Sequence, residues 1–169
     1  TDPDGRAVVV MAHYDHLGLC LPEGAADRIF NGANDNASGV AGMIEAAASL
    51  MASRVKPKRS VVFIAFWGEE KGLIGSRYYA HNPVFPINQT VAQINLEQLG
   101  RTDDSEGARV SAAAITGYNF TEVGAILGAA AASVGVKVEN LPKADEFFNR
   151  SDNEALAAFG VPAHTLAVS

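Results

Sequence analysis

Two adjacent glutamates, Glu69 and Glu70, follow the apolar run VVFIAFW (61–67) with only Gly68 between. Like charges at the mouth of a buried strand repel each other and resist desolvation. The same placement recurs: His13 and Asp15 close the run AVVVMA (7–12), Glu97 ends TVAQINL (90–96), and Asp35 lies inside NGANDN (31–36). Imidazole with several carboxylates and no thiolate is a donor set for a divalent cation, zinc in a catalytic site, with cobalt or manganese as substitutes. In such a centre one glutamate ligates the metal and its neighbour acts as base toward water activated there. Asp15, two residues beyond His13, falls on the same face of an extended segment. There it can accept a hydrogen bond from the ring nitrogen that does not face the metal, or steer a nearby group.

These residues need elements that carry them to one place. The runs at 7–12, 60–67, 90–96, 108–115 and 162–168 read as strands, too continuously apolar to leave one face in water. Between them, GVAGMIEAAASLMASR has helical spacing with Ser38 or Asn36 as cap, a short helix fits 73–80, and a third follows Asn119 or Thr121 and stops at Gly135. SDNEALAAFG (151–160) reads as a capped helix with Ser151 as cap and Asp152 as a candidate pocket residue. Leu17 to about Asn36 reads as a loop. Strands alternating with helices predict one α/β domain with a mostly parallel sheet and helices on both faces. In such sheets ligands sit beyond the carboxyl ends of the strands, which is where His13, Glu69, Glu70 and Glu97 fall. Singly, an HxD pair, two glutamates on a loop or an NDN before a helix is an ordinary surface feature; the coincidence carries the reading.

The bulk properties exclude other classes. A net charge of −6, with KPKRS (56–60) as the only basic cluster, argues against a nucleic-acid partner. No apolar stretch approaches the ~20 residues of a membrane span, so no membrane partner is expected. The single cysteine, Cys20, cannot form an internal disulfide and has no base nearby in sequence. The chain opens in a turn and stops within a strand, so both ends read as cuts through a larger protein. His16, His81 and His164 have no partner spacing that marks them as ligands, and are expected to be structural or solvent-facing.

AHYDHLG, NGANDNASGVAGMIEAA, FIAFWGEEKGLIGS and INLEQLGR together resemble the aminopeptidase and carboxypeptidase family with co-catalytic zinc ions, to which glutaminyl cyclase is related. The resemblance runs in order from residue 7 to 168. It implies a three-layer α/β sandwich with a mostly parallel mixed sheet, a single catalytic domain over 1–169 lacking its first strands and its C-terminal part, a peptide substrate, and a secreted or periplasmic location. It also implies roles: His13, Asp35 and Glu97 on one zinc, Asp35 bridging to a second zinc held by Glu70, Glu69 as general base, and Asp15 as the outer partner of His13. Many members carry Asp where Glu97 stands, and a histidine where Asn153 stands. The family's last ligand, a histidine in a YH motif, would follow Ser169. Two zinc ions are therefore implied for the intact enzyme and one or none for this chain, which leaves an inactive fragment as one alternative. A glutaminyl cyclase-like single-zinc acyltransferase is the other, disfavoured because Trp67 is the sole tryptophan available for a pocket. Phe147 and Phe148 are candidates for an apolar pocket or for core.

Overall fold

The computed structural model describes residues 5–19, 24, 26–102 and 110–168. Cys20, the first two residues of the strand expected from 108, and part of the loop after Glu97 lie outside them. The strands are β1 (Ala7–His13), β2 (Gly18–Leu19), β3 (Ile29–Phe30), β4 (Ser60–Phe66), β5 (Thr90–Glu97), β6 (Ala112–Ile115), β7 (Lys137–Glu139) and β8 (Ala163–Ala167). The α-helices are α1 (Gly39–Ala52), α2 (Ile74–His81), α3 (Val123–Ala132) and α4 (Asn153–Ala157).

The main sheet has the order β4-β1-β5-β8-β6-β7. β1 runs parallel to β4 and β5, β5 parallel to β8, and β6 parallel to β7, while β6 meets β8 antiparallel. The sheet is thus mixed and mostly parallel, as expected. β1 lies between two parallel neighbours, and its valines satisfy both faces. Val9 and Met11 point into a cluster with Phe66, Tyr79 and Ala80 of α2, and Ala155 and Leu156 of α4. Each fully buried large side chain there contributes roughly 1.5–3 kcal/mol relative to exposure. On the other side α1 packs on β1, β4 and β5, and its buried Met43 lies outside that cluster.

Register makes this frame useful. His13 pairs with Phe66, and Met11 with Asn95, so the carboxyl ends of β1, β4 and β5 reach one level. Gly68, at φ 83°, then turns the chain over the end of β4, in a conformation that costs a side-chain residue more than glycine.

Several local expectations change. The loop after Leu17 contains a two-residue antiparallel ribbon, β2 with β3. Among the described residues of the strand expected over 108–115, the strand begins at Ala112, and the helix expected over 151–160 shortens to Asn153–Ala157. β7 and the 3-10 segment Pro142–Arg150 were not predicted, because such short or tightly wound pieces show neither the period-2 nor the 3.6 pattern.

α1 approaches β5 so closely at Gly39 that a Cβ there would collide with the Leu96 carbonyl and the Asn36 side chain. Gly39→Ala is therefore expected to destabilise the fold by about 1–3 kcal/mol, as overpacking does. The reading is a lower urea midpoint at unchanged m-value.

Candidate metal centre

His13, the last residue of β1, is fully buried. Its Nδ1 lies 3.1 Å from the Asp15 carbonyl oxygen, an acceptor only, so Nδ1–H donates there and Nε2 is left to hold a proton or a metal ion. Nε2 stands 3.2 Å from Asp35 Oδ1, an ion-pair distance, and neither atom has another hydrogen-bond partner. A bare Nε2 facing a carboxylate oxygen at this separation would be repelled, so a cation belongs here: a proton held on His13 beside Asp35, or a metal ion in its place. On a tetrahedral zinc with bonds of about 2.0–2.1 Å, two ligand atoms stand about 3.3 Å apart. The observed spacing fits that geometry.

Of the two contacts expected of Asp15, the steering one is observed. Its carboxylate is 3.6 Å from His13 Nδ1, and its backbone carbonyl takes the ring proton instead. The carboxylate accepts the backbone N–H of Glu69 at 3.3 Å and of Glu70 at 3.4 Å. Asp15 thus ties the end of β1 to the loop after β4, orienting both glutamates through their backbones. The loop closes on itself with the Ile74 N–H bonded to the Gly68 carbonyl at 2.9 Å.

Asp35 lies in an irregular turn, Ala33–Ser38, and its peptide bond to Asn36 is cis. Asn36 is buried and fastens this turn to β5. Its amide donates to the Leu96 carbonyl at 2.9 Å, and its Oδ1 accepts the N–H groups of Gly39 and Gln98, each at 3.1 Å. Asn36 is therefore the residue that caps α1. Ser38 accepts the Leu99 N–H at 2.8 Å instead. Gln98 Nε2 donates to Asp35 Oδ2 at 3.3 Å.

Glu97 is held by neutral donors: the Ser151 hydroxyl, and Asn95 Nδ2 at 3.0 Å. Asn95 Nδ2 also lies 3.1 Å from Thr165 Oγ1, and that hydroxyl donates to Asn153 Oδ1 at 2.8 Å. Ser151, expected as a helix cap, makes no side-chain cap bond to α4 and serves Glu97. Asp152 is fully buried behind the site, with Ser76 beside it partly offsetting the effect of burial on its carboxyl; it does not line the cavity.

The predicted ligands do converge, in two groups. Donor atoms of His13, Glu69 and Glu97 lie within 4.8 Å of one another, as do those of His16, Asp35 and Glu70. The His13–Asp35 contact joins the groups. His16 overturns its expectation as a bystander: its Nδ1 lies 2.6 Å from Glu70 Oε1. The signal that could have found it is its place in HYDH, three residues after His13 on the same loop. His81 and His164 are structural as expected, bonded to the Arg77 carbonyl at 2.9 Å and the Thr116 carbonyl at 2.8 Å. A cavity of about 680 Å³ opens over the acids, lined also by Leu141, Pro142, Phe147 and Arg150. Phe147 thus lines the pocket, whereas Phe148 packs against Phe120 and His164.

The charges show what is missing. Burial works against the His13 cation, yet contact with Asp35 and the charges on Glu69 and Glu97 outweigh it and raise its pKa from 6.5 to about 9. Burial, then the charge on Glu97, raises Glu69 from 4.5 to about 8. Burial likewise raises Glu97 and Asp152, while the His13 ring lowers Asp35. Without metal, the cluster recruits protons to neutralise itself. The donor types, the spacing and the unpartnered His13 Nε2 and Asp35 Oδ1 all fit a divalent cation.

Both upward shifts mean that the folded chain holds these protons more tightly than the unfolded chain. Their stabilisation is full below 4.5 for Glu69 and 6.5 for His13, and is lost as pH rises through about 8 and 9. The chelator-treated chain is therefore expected to show a falling unfolding temperature from pH 5 to pH 9. Zinc should raise that temperature more at pH 8 than at pH 6, because binding must displace the protons. Calorimetry at matched ionic strength reads both effects, and a zinc-insensitive unfolding temperature at pH 8 would contradict them.

Comparison with known proteins agrees with this geometry. The chain is 36% identical over 106 residues to a probable zinc metalloprotease of Pyrenophora tritici-repentis, covering 63% of this chain and 23% of the relative. It superposes on an aminopeptidase from Aneurinibacillus sp. strain AM-1 with a TM-score of 0.70 and 26% identity, over 98% of this chain and 35% of that one. A glutaminyl cyclase from Porphyromonas gingivalis shares the fold at a TM-score of 0.66 and 19% identity, over 97% of this chain and 58% of that one. The chain thus spans about a quarter of the length of the fungal relative and a third of the bacterial aminopeptidase. All 169 residues match the profile of peptidase family M28, and the chain belongs to that family.

Proposed function

We propose that this chain is the catalytic domain of a zinc-dependent exopeptidase, an aminopeptidase. The observation that carries the reading is the buried His13 Nε2 facing Asp35 Oδ1 at 3.2 Å, unpartnered at the junction of two clusters of ligand atoms. His13, Asp35 and Glu97 would hold one zinc, and Asp35 and Glu70 would take part in holding a second. Zinc bound there supplies Lewis acidity toward a peptide carbonyl and toward water near neutral pH.

The chain's own residues do the rest. Glu69 takes a proton from the attacking water and delivers it to the leaving amine nitrogen as the C–N bond breaks. Asp15 and the turn from Gly68 to Ile74 hold its backbone in place for both transfers. The cavity has an acidic floor of Asp35, Glu69, Glu70 and Glu97, and an apolar wall from Leu141, Pro142 and Phe147. This pairing suits a free α-ammonium group on the floor and an apolar first side chain against the wall. Trp67 does not line the cavity, which supports hydrolysis over the cyclase alternative.

In the full-length protein, Glu69→Gln is expected to lower kcat on leucine p-nitroanilide about 10²–10⁴-fold, the usual worth of a general base. Its zinc content should be unchanged. Retention of full activity would sink the assignment of Glu69. The N-acetylated substrate should resist cleavage, because its amine carries no charge for the acidic floor. Equal cleavage of blocked and free substrates would contradict an aminopeptidase. Cyclisation of an N-terminal glutaminyl peptide without hydrolysis would favour the acyltransferase.

A further inference from the structure

We propose that Arg150, stacked on Phe147 at the cavity wall, selects substrates that carry a carboxylate on the residue after the scissile bond. This rests on the metallopeptidase reading above and names the substrate class of that same cavity. The acidic floor of Asp35, Glu69, Glu70 and Glu97 accounts for an amine at one end of a short peptide. It repels a carboxylate at the other end, so a substrate bearing both charges needs a cation elsewhere on the lining.

The cavity supplies such cations. Arg101, Lys143 and Arg150 line it together with the acids, and they arrive on two segments that are each pinned to the frame. Beyond β5, the N–H groups of Leu99 and Gly100 donate to Ser38 Oγ and Asn34 Oδ1, each at 2.8 Å, and Arg101 follows directly. The 3-10 segment Pro142–Arg150 is tied at Asp145, which accepts the Gly117 N–H at 2.6 Å. It is tied again at Phe148, whose carbonyl accepts Asn153 Nδ2 at 2.9 Å.

Arg150 is the cation whose geometry suits a carboxylate. A 3-10 helix has three residues per turn, so side chains three apart stack. Phe147 and Arg150 are such a pair, with the guanidinium carbon 4.9 Å from the ring centroid. Stacking sets the plane of the guanidinium and leaves its N–H edge open to a carboxylate, two N–H groups to two oxygens. No carboxylate among the described residues holds Arg150 in an ion pair. The next residue, Ser151, is extended, and its hydroxyl donates to Glu97. Arg150 thus stands one residue, about 3.8 Å along the backbone, from the side chain that orients a proposed zinc ligand. The carboxylate of a leaving residue also lies within one extended residue of the scissile bond, about 3.3–3.6 Å. These offsets match a carboxylate on the leaving residue itself and not one several residues further on. Phe147 therefore has two parts, as apolar wall and as the platform that carries the arginine.

An arginine that merely offset the acids would act on every substrate alike, whereas one that selects a carboxylate acts only where the substrate has one. The test compares matched peptides in the full-length, zinc-loaded protein: leucyl-glycine with its C-terminal amide, and the C-terminal amides of leucyl-aspartate and leucyl-asparagine. The first pair differs in the terminal carboxylate, the second in a side-chain carboxylate on the same residue. A preference in the first pair identifies free dipeptides as substrates, one in the second an acidic side chain. In at least one pair the wild type should favour the acid about tenfold in kcat/KM, the order of a hydrogen bond to a charged group. The difference should lie in KM, because the carboxylate is held alike before and during reaction, and it should shrink at high ionic strength.

Arg150→Ala should bring that ratio to within twofold of unity, while Arg150→Lys, which keeps the charge without the planar fork, should retain part of it. Arg150 is exposed, so its replacement spares the core, and taking a ratio cancels any loss common to both members of a pair. A wild-type ratio within twofold of unity in both pairs overturns the assignment, as does a preference that Arg150→Ala leaves intact. Either result leaves the metallopeptidase reading standing, since the amides are still cleaved. Failure of the zinc-loaded wild type to cleave any of the four peptides sinks that reading and this assignment together.

Discussion

Carboxylates crowded at the ends of parallel strands repel one another, and everything about this site follows from how that repulsion is answered. Two like charges 4 Å apart cost about 4 kcal/mol at an effective dielectric constant of 20. Oxygens of Glu69 and Glu97, and of Asp35 and Glu70, lie within 4.8 Å of each other. Partners on these acids include His13, His16 and neutral donors, and Arg101, Lys143 and Arg150 line the same cavity. Burial and neighbouring acids raise Glu69, and contact with Asp35 raises His13 against burial, so each binds a proton more readily where no other cation answers the charge. A divalent cation would do the same work at neutral pH with the acids ionised.

The scaffolding is built so that it does not consume the charge it positions. Asp15 grips the two glutamates by their backbone N–H groups, leaving their carboxylates free. Asn36, Gln98, Asn95 and Ser151 orient Asp35 and Glu97 with amides and hydroxyls. Lysine or arginine in those places would pair with the acids and compete with the cation. Asp152 acts in the opposite sense: buried, with Ser76 as its polar neighbour and close enough to raise Glu69 further, it adds to the negative field. A buried carboxylate left so is costly, and it is tolerable only where compensating charge is near.

The same frame serves different chemistries among its structural neighbours, an aminopeptidase and a glutaminyl cyclase among them. Fold alone therefore does not decide the reaction. What separates the readings is local: which glutamate is free to carry a proton, how many cations the acids hold, and whether the cavity wall is aromatic or merely apolar. In this chain the wall is Leu141, Pro142 and Phe147, contributed by the 3-10 segment before α4 and by the residue leading into it.

The sequence by itself determined five of the six strands of the main sheet, their mostly parallel alternation with helices, and the identity of the acids and the first histidine. Those signals are local: continuous apolar runs of strand length, and charged residues placed directly after them. Only the tertiary structure decided the partners. Asp15 meets the glutamates 54 and 55 residues away, Asn36 reaches the end of β5 across 60, and Ser151 reaches Glu97 across 54. His16 and Ser151 were misjudged for the same reason, since a histidine without spacing and a serine before a helix look ordinary until the sheet brings a carboxylate to each. Sequence spacing constrains neighbours on one element, whereas contacts between elements depend on register and turn geometry, which no local pattern encodes.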